Sequence, residues 1–179
     1  MALPSTVRRF QIEVADTDRN HYTTLDLRVA QHPSESLRYL ATRVLARALE
    51  DGAGVEFSRG LCADDEPALW QRDLRGDLQA WIEVSSPSAQ RLHRAQKASP
   101  RVAVYSWKDL RALASECQAI HRAEALELYA LDEAIIDGIA ATIDRNNAWS
   151  VSRNDGIIYL ACNDAPFELA LTRVAVAAS

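Results

Sequence analysis

Apolar and polar positions alternate twice near the start of the chain. Phe10, Ile12 and Val14 are separated by Gln11 and Glu13, then Leu25, Leu27 and Val29 by Asp26 and Arg28. A period of two marks half-buried strands, and the turn-rich ADTDRNHY between the runs predicts a hairpin. The period then changes. HPSESLRYLATRVLARALE opens with Pro and Ser and spaces Leu37, Leu40, Ala41, Val44, Leu45 and Ala48 three and four apart, which predicts an amphipathic helix.

DGAGVEFSRG predicts a turn and a short strand. LQAWIEV predicts a strand with Leu78, Ala80, Ile82 and Val84 on one face and Gln79, Trp81 and Glu83 on the other. A helix from about Pro87, carrying Leu92 and Ala95 inward, leads to the β-rich RVAVYSW; strand, helix, strand implies a parallel pair. KDLRALASECQAIHRAEALELYAL reads as helix then strand, and DEAIIDGIAATI as a short helix with Asp132 as its cap. The C-terminal segment alternates around Asn154, Asp155 and Gly156, a tight hairpin turn. The fold class is α/β or α+β, a mixed sheet with helices, in one domain over residues 1–179 with no repeat or linker.

Composition narrows the function classes. The 179 residues carry a net charge of -5 and 48% hydrophobic residues, so the chain is globular and has no general attraction to phosphate backbones or anionic membranes. The 3 cysteines, Cys62, Cys117 and Cys162, form no CxxC pair, which argues against a disulfide framework or zinc site and for a reducing compartment. No signal peptide or membrane span is seen, so a cytoplasmic protein without membrane partners, a monomer by default, is expected.

The acids raise a sharper question. GLCADDEPALW carries Asp64, Asp65 and Glu66, and Glu83 interrupts an otherwise apolar strand. An ionised carboxylate is costly to desolvate, so Glu83 needs a cation, a donor or a metal. PALWQRDLRGD is long enough to fold back as a neighbouring strand, and carboxylates from two strands can share one Mg²⁺, which would support phosphodiester hydrolysis. The alternative is plainer: the acidic run is a solvated loop and Glu83 pairs with an arginine.

VADTDRNHY, HPSES, RGLCADDEPALW, WIEV followed by Pro87, and RLHRAQKA occur in order along nearly the whole chain. In these segments the sequence resembles the YaeQ family. The resemblance implies a central mixed sheet flanked by helices, akin to the PD-(D/E)XK nuclease superfamily with extra hairpins, and a Mg²⁺-dependent phosphodiesterase site. By that pattern Asp65 or Glu66 is the acid of the first element, Glu83 the acid of the E-x-K strand, and Glu35 an accessory acid.

One position departs from the pattern. Ser85 stands where E-x-K would place lysine, so the basic group would have to come from the following helix. Glu83 to Pro87 spans roughly 13 Å of strand, and Pro87 to Lys97 about 15 Å of helix, so the two could lie level. Lys97 sits about 140° round from the inward Leu92, while Gln96 shares the side of Leu92, making Gln96 its rival. Arg91, Arg94 and Lys97, with Arg101 nearby, form a basic patch that could meet nucleic acid or a nucleotide, or simply be a solvated helix face.

His21, His32, His93 and His121 form no ligand pair, and Asp16 and Asp18 lack the rest of a calcium loop. Trp70, Trp81, Trp107 and Trp149 fit a core better than a stacking platform. P-loop, GxGxxG and GxSxG motifs are absent. Two functions therefore stand: a Mg²⁺-dependent phosphodiesterase using Asp65, Glu66 and Glu83 with Gln96 or Lys97, or a nuclease-like fold that binds or regulates without catalysis.

Overall fold

In the computed structural model, which describes residues 5–59 and 65–177, the two alternating runs pair as an antiparallel hairpin, β1 (Thr6–Asp16) and β2 (His21–Gln31). Phe10, Ile12 and Val14 are buried and their neighbours are largely exposed, as period two requires. The turn is fixed by its acids. The Asp16 carboxylate accepts from the Arg19 backbone and side chain, and that of Asp18 from the backbone N–H groups of Asp155 and Gly156.

The helix α1 (Leu37–Leu49) starts where Ser36 Oγ accepts from Tyr39 N, and it buries Leu40, Ala41, Val44, Leu45 and Ala48. Each large side chain in that stripe contributes about 1.5–3 kcal/mol of transfer free energy. Asp132 caps α4 (Glu133–Thr142), its carboxylate accepting from Ile135 N. Next come β8 (Asn146–Asn154), β9 (Ile157–Cys162) and β10 (Ala165–Ala170). Asp155 and Gly156 take positive φ at the first turn, as expected, and Asn163 and Asp164 do so at the second. The sheet order is β10-β9-β8-β1-β2, with β1 and β8 parallel. These elements form one compact unit, Met1–Leu49 with Asp132–Leu171.

The other unit, Glu50–Leu131 with Thr172–Ser179, has its own sheet. Its strands are β3 (Val55–Phe57), β4 (Leu69–Arg72), β5 (Leu78–Val84), β6 (Arg101–Ser106), β7 (Glu127–Ala130) and β11 (Thr172–Val174). The helices are α2 (Ala89–Ala98) and α3 (Arg111–Cys117). The order is β11-β7-β6-β5-β4-β3; β5, β6 and β7 are parallel and β4 folds back antiparallel on β5. Leu92 and Ala95 of α2 and Leu113 and Cys117 of α3 close a core over Val102, Val104 and Leu128. Gly54 cannot carry a side chain: its φ is +76 and a Cβ would lie 1.8 Å from the Arg72 carbonyl oxygen.

The described residues thus make an α+β fold with two mixed sheets and four α-helices, rather than the single central sheet the resemblance implies. The reason is pairing. The N-terminal hairpin joins β8 from far downstream, while β5 and β6 complete a separate sheet with β4 and β7. No described helix is long and apolar enough to cross a membrane.

Charged side chains are compensated inside each unit. Glu35, 5% exposed, receives Arg43 Nε and Nη2 at 2.9 and 3.0 Å, and Arg43 Nη2 also donates to Ala30 O. Burial raises the Glu35 carboxyl pKa, and Arg43 opposes the rise. Arg101 lies on β6, not in the helical patch, and is held by Glu50 and Glu127, which accept in addition from Tyr105 and Tyr129. Cys117 and Cys162 are free and buried, and burial pushes their thiol pKa values up to about 11 and about 12.

Two outcomes follow from this packing. Arg43→Met leaves a buried carboxylate uncompensated and should cost about 3–5 kcal/mol in urea unfolding, whereas Arg38→Ala, which breaks exposed pairs to Glu133 and Asp137, should cost at most about 1 kcal/mol. Equal losses would contradict the assigned burial. Alkylation at pH 8 followed by peptide mass spectrometry should leave Cys117 and Cys162 unlabelled in the native protein and label both in denaturant; native labelling of either would show the thiol to be accessible.

Candidate functional site

Glu83 sits on β5 with fully buried Val104 as its partner on β6, and is itself 5% exposed. Water cannot compensate that carboxylate, so the protein must. Two donors meet on one oxygen. Trp81 Nε1 and Arg91 Nε each lie 2.6 Å from Glu83 Oε1. Trp81 reaches it because residues two apart on a strand share a face. Arg91 reaches it from the first turn of α2, where Ser88 Oγ caps the helix by accepting from the Arg91 backbone N–H.

The guanidinium binds beyond Glu83. Arg91 Nη2 donates to the Glu66 carbonyl at 2.5 Å, and its Cζ lies 5.9 Å from the Trp81 ring centroid, within cation–π range. Arg91 therefore ties β5 to the segment preceding β4. The Glu66 side chain turns elsewhere: Arg59 donates through Nε, Nη2 and backbone N–H, at 2.9, 2.6 and 3.0 Å. Those bonds, the side-chain one first, hold the Glu66 carboxyl below its ordinary pKa.

Beside this pair lies a cavity of about 230 Å³ lined by Asp65, Trp81, Arg91, Arg94 and Ala98. Asp65 and Arg94 are exposed. Asp65, the Glu66 carbonyl and Glu83 thus come to one neighbourhood, and the cation that Glu83 holds there is a guanidinium. Divalent-metal ligation needs lone pairs on several oxygens. Here Glu83 Oε1 already accepts two N–H bonds and the Glu66 carboxylate three, so Glu83 Oε1 and the Glu66 carboxylate are committed to N–H donors in this arrangement. No group of three or more His, Cys, Asp or Glu side chains suited to a metal occurs among the described residues. Asp64 lies outside them.

The remaining expected residues have other surroundings or partners. Lys97 is exposed and does not line the cavity. Gln96 faces inward as its spacing from Leu92 predicts, but its Nε2 donates to the Arg122 carbonyl at 2.9 Å, bracing a residue with φ 59. Glu35 belongs to the first unit, in its pair with Arg43. Ser85 explains the departure from E-x-K. Its φ is +74, so β5 ends at Val84 and position 85 does not continue the strand face of Glu83. The sequence reading missed the specific role of Arg91 as partner of Glu83; its position three residues after a helix-capping Ser was the available signal.

Comparisons with known proteins agree over nearly the whole chain. A family model described as YaeQ protein matches residues 1–171. The uncharacterized protein YaeQ of Escherichia coli (strain K12) is 31% identical over 176 residues, covering 96% of this chain and 97% of that protein. The crystal structure of YaeQ protein from Xanthomonas axonopodis pv. citri has a TM-score of 0.85 at 31% identity, covering 97% of this chain and 99% of that one. The crystal structure of YaeQ protein from Pseudomonas syringae has a TM-score of 0.90 at 29% identity, covering 97% of each. With sequence, family model and fold in agreement over nearly the whole chain, the chain belongs to the YaeQ family.

Proposed function

We propose that this protein is a binding module on a nuclease-like scaffold of PD-(D/E)XK type, which takes a phosphate-bearing ligand, a nucleotide or nucleic acid, without a metal. One observation carries the reading: the buried Glu83 is neutralised by Arg91 and Trp81, and Arg91 and Arg94 together line the adjoining cavity. A guanidinium is a fixed multiple donor suited to phosphate oxygens. Arg91 is oriented by Glu83 and the Glu66 carbonyl, so it needs little ordering on binding; Arg94 supplies the exposed charge. Trp81 offers an aromatic wall beside them.

The Mg²⁺-dependent phosphodiesterase is the second reading. It is favoured by Asp65 lining the cavity beside Arg91, which holds both the Glu66 carbonyl and Glu83. If Arg91 swung away, oxygen donors would remain.

Calorimetry with inorganic phosphate and a mononucleotide, in EDTA and in Mg²⁺, separates the two. The binding module binds in EDTA, and Arg94→Ala weakens it about tenfold, the value of one charge-assisted hydrogen bond. Glu83→Gln removes the competing carboxylate and should leave anion binding intact or tighten it. Binding that requires Mg²⁺, or metal-dependent cleavage of nucleic acid or cyclic nucleotides lost in Glu83→Gln, would overturn the module and establish the enzyme.

A further inference from the structure

The first unit presents an unusual sheet edge. Of the four edge strands described, β3 and β11 have three residues each and β10 contains Pro166. Short strands and proline are ordinary protection against pairing with another chain. β2 has neither: it runs eleven residues, contains no proline, and keeps an unbroken register with β1 from Thr6↔Gln31 to Asp16↔His21.

The register fixes which backbone groups face outward. Arg9 N and Thr17 N donate to the Arg145 and Arg153 carbonyls on the β8 side, so odd-numbered positions of β1 point toward β8. Its even positions point to β2, where their Cα partners are odd-numbered. The even positions of β2, Tyr22, Thr24, Asp26 and Arg28, therefore present N–H and C=O to the open edge. No described residue bonds to those eight groups; Arg43 Nη2 reaches only the next carbonyl, that of Ala30. The side chains tell the same story. Phe10 and Ile12 on β1 are fully buried, whereas their partners Leu27 and Leu25 on β2 are only half-buried.

We propose that β2 is a homodimer edge, on which β2 of a second copy adds antiparallel about a two-fold axis at Leu27. Within each chain Arg9 of β1 already holds Asp26, Nε to Oδ1 at 3.0 Å and Nη2 to Oδ2 at 2.6 Å, in an exposed pair, so Arg28 of the second copy would be a second guanidinium on that carboxylate. Charge still favours this register. With Leu27 facing Leu27 of the second copy, Asp26 of each chain faces Arg28 of the other, and Leu25 faces Val29. Moving the axis to Asp26 would put carboxylate against carboxylate, and moving it to Arg28 guanidinium against guanidinium. The axis at Leu27 also keeps parity, so the open backbone groups form the ladder while Leu25, Leu27 and Val29 continue the apolar face. A second copy is the occupant because this edge is self-complementary in both charge and apolar pattern, as an isologous contact requires. The contact is a single pair of edge strands, so the dimer is weak and reversible.

Sedimentation equilibrium of the full chain, from micromolar to millimolar, tests this. A reversible monomer–dimer equilibrium is expected. Arg28→Asp alone and Asp26→Arg alone should each weaken it by about tenfold or more, and an equimolar mixture of the two variants should restore it, because every carboxylate again meets a guanidinium. Thr24→Pro, which removes an N–H unused inside the sheet, should abolish the dimer with an unchanged circular dichroism spectrum. A wild-type chain that stays monomeric throughout, or a dimer indifferent to these variants, would overturn the assignment.

Discussion

The candidate site depends on how the charge of Glu83 is compensated. A carboxylate this deep costs several kcal/mol to desolvate unless a partner meets it. The protein supplies Arg91 and the indole of Trp81, both on one oxygen. That choice propagates. Once Arg91 is drawn to Glu83 it also fixes the Glu66 carbonyl and defines one wall of the cavity. On the proposed function, acids occupied by arginines make this a site for anions rather than cations.

The same device recurs across the chain. Glu35 with Arg43, Glu66 with Arg59, and Glu50 and Glu127 with Arg101 are all compensated internally. Net charge is therefore a poor guide to the local field. Although the chain carries -5 overall, Arg94 stands exposed on α2 beside the cavity, where a ligand phosphate would meet it.

What the sequence made legible was local chemistry. The hairpin of β1 and β2, the cap of α4, the turn at Asp155 and Gly156, and the fold-back of β4 on β5 all follow from neighbours a few residues apart. The turn at Asn163 and Asp164 was less visible because it lacks glycine, although both residues tolerate positive φ. Pairings over distance were hidden. Nothing local says that Arg91 rather than Lys97 turns toward Glu83, that Arg101 leaves the helical patch for Glu50 and Glu127, or that β1 pairs with β8. Ser85 shows the limit of motif spacing: strand alternation assumed an extended backbone at a residue with φ +74. That Glu83 needs a partner, an arginine among the options, was legible in the sequence; which arginine supplies it was not.

The most direct test of that identity is the indole N–H resonance of Trp81 in a ¹⁵N–¹H spectrum. Bonded to Glu83, it should shift when phosphate is added and stay sharp when paramagnetic Mn²⁺ is titrated in. Selective broadening of that resonance by stoichiometric Mn²⁺, with no response to phosphate, would place a metal at Glu83 and contradict the account.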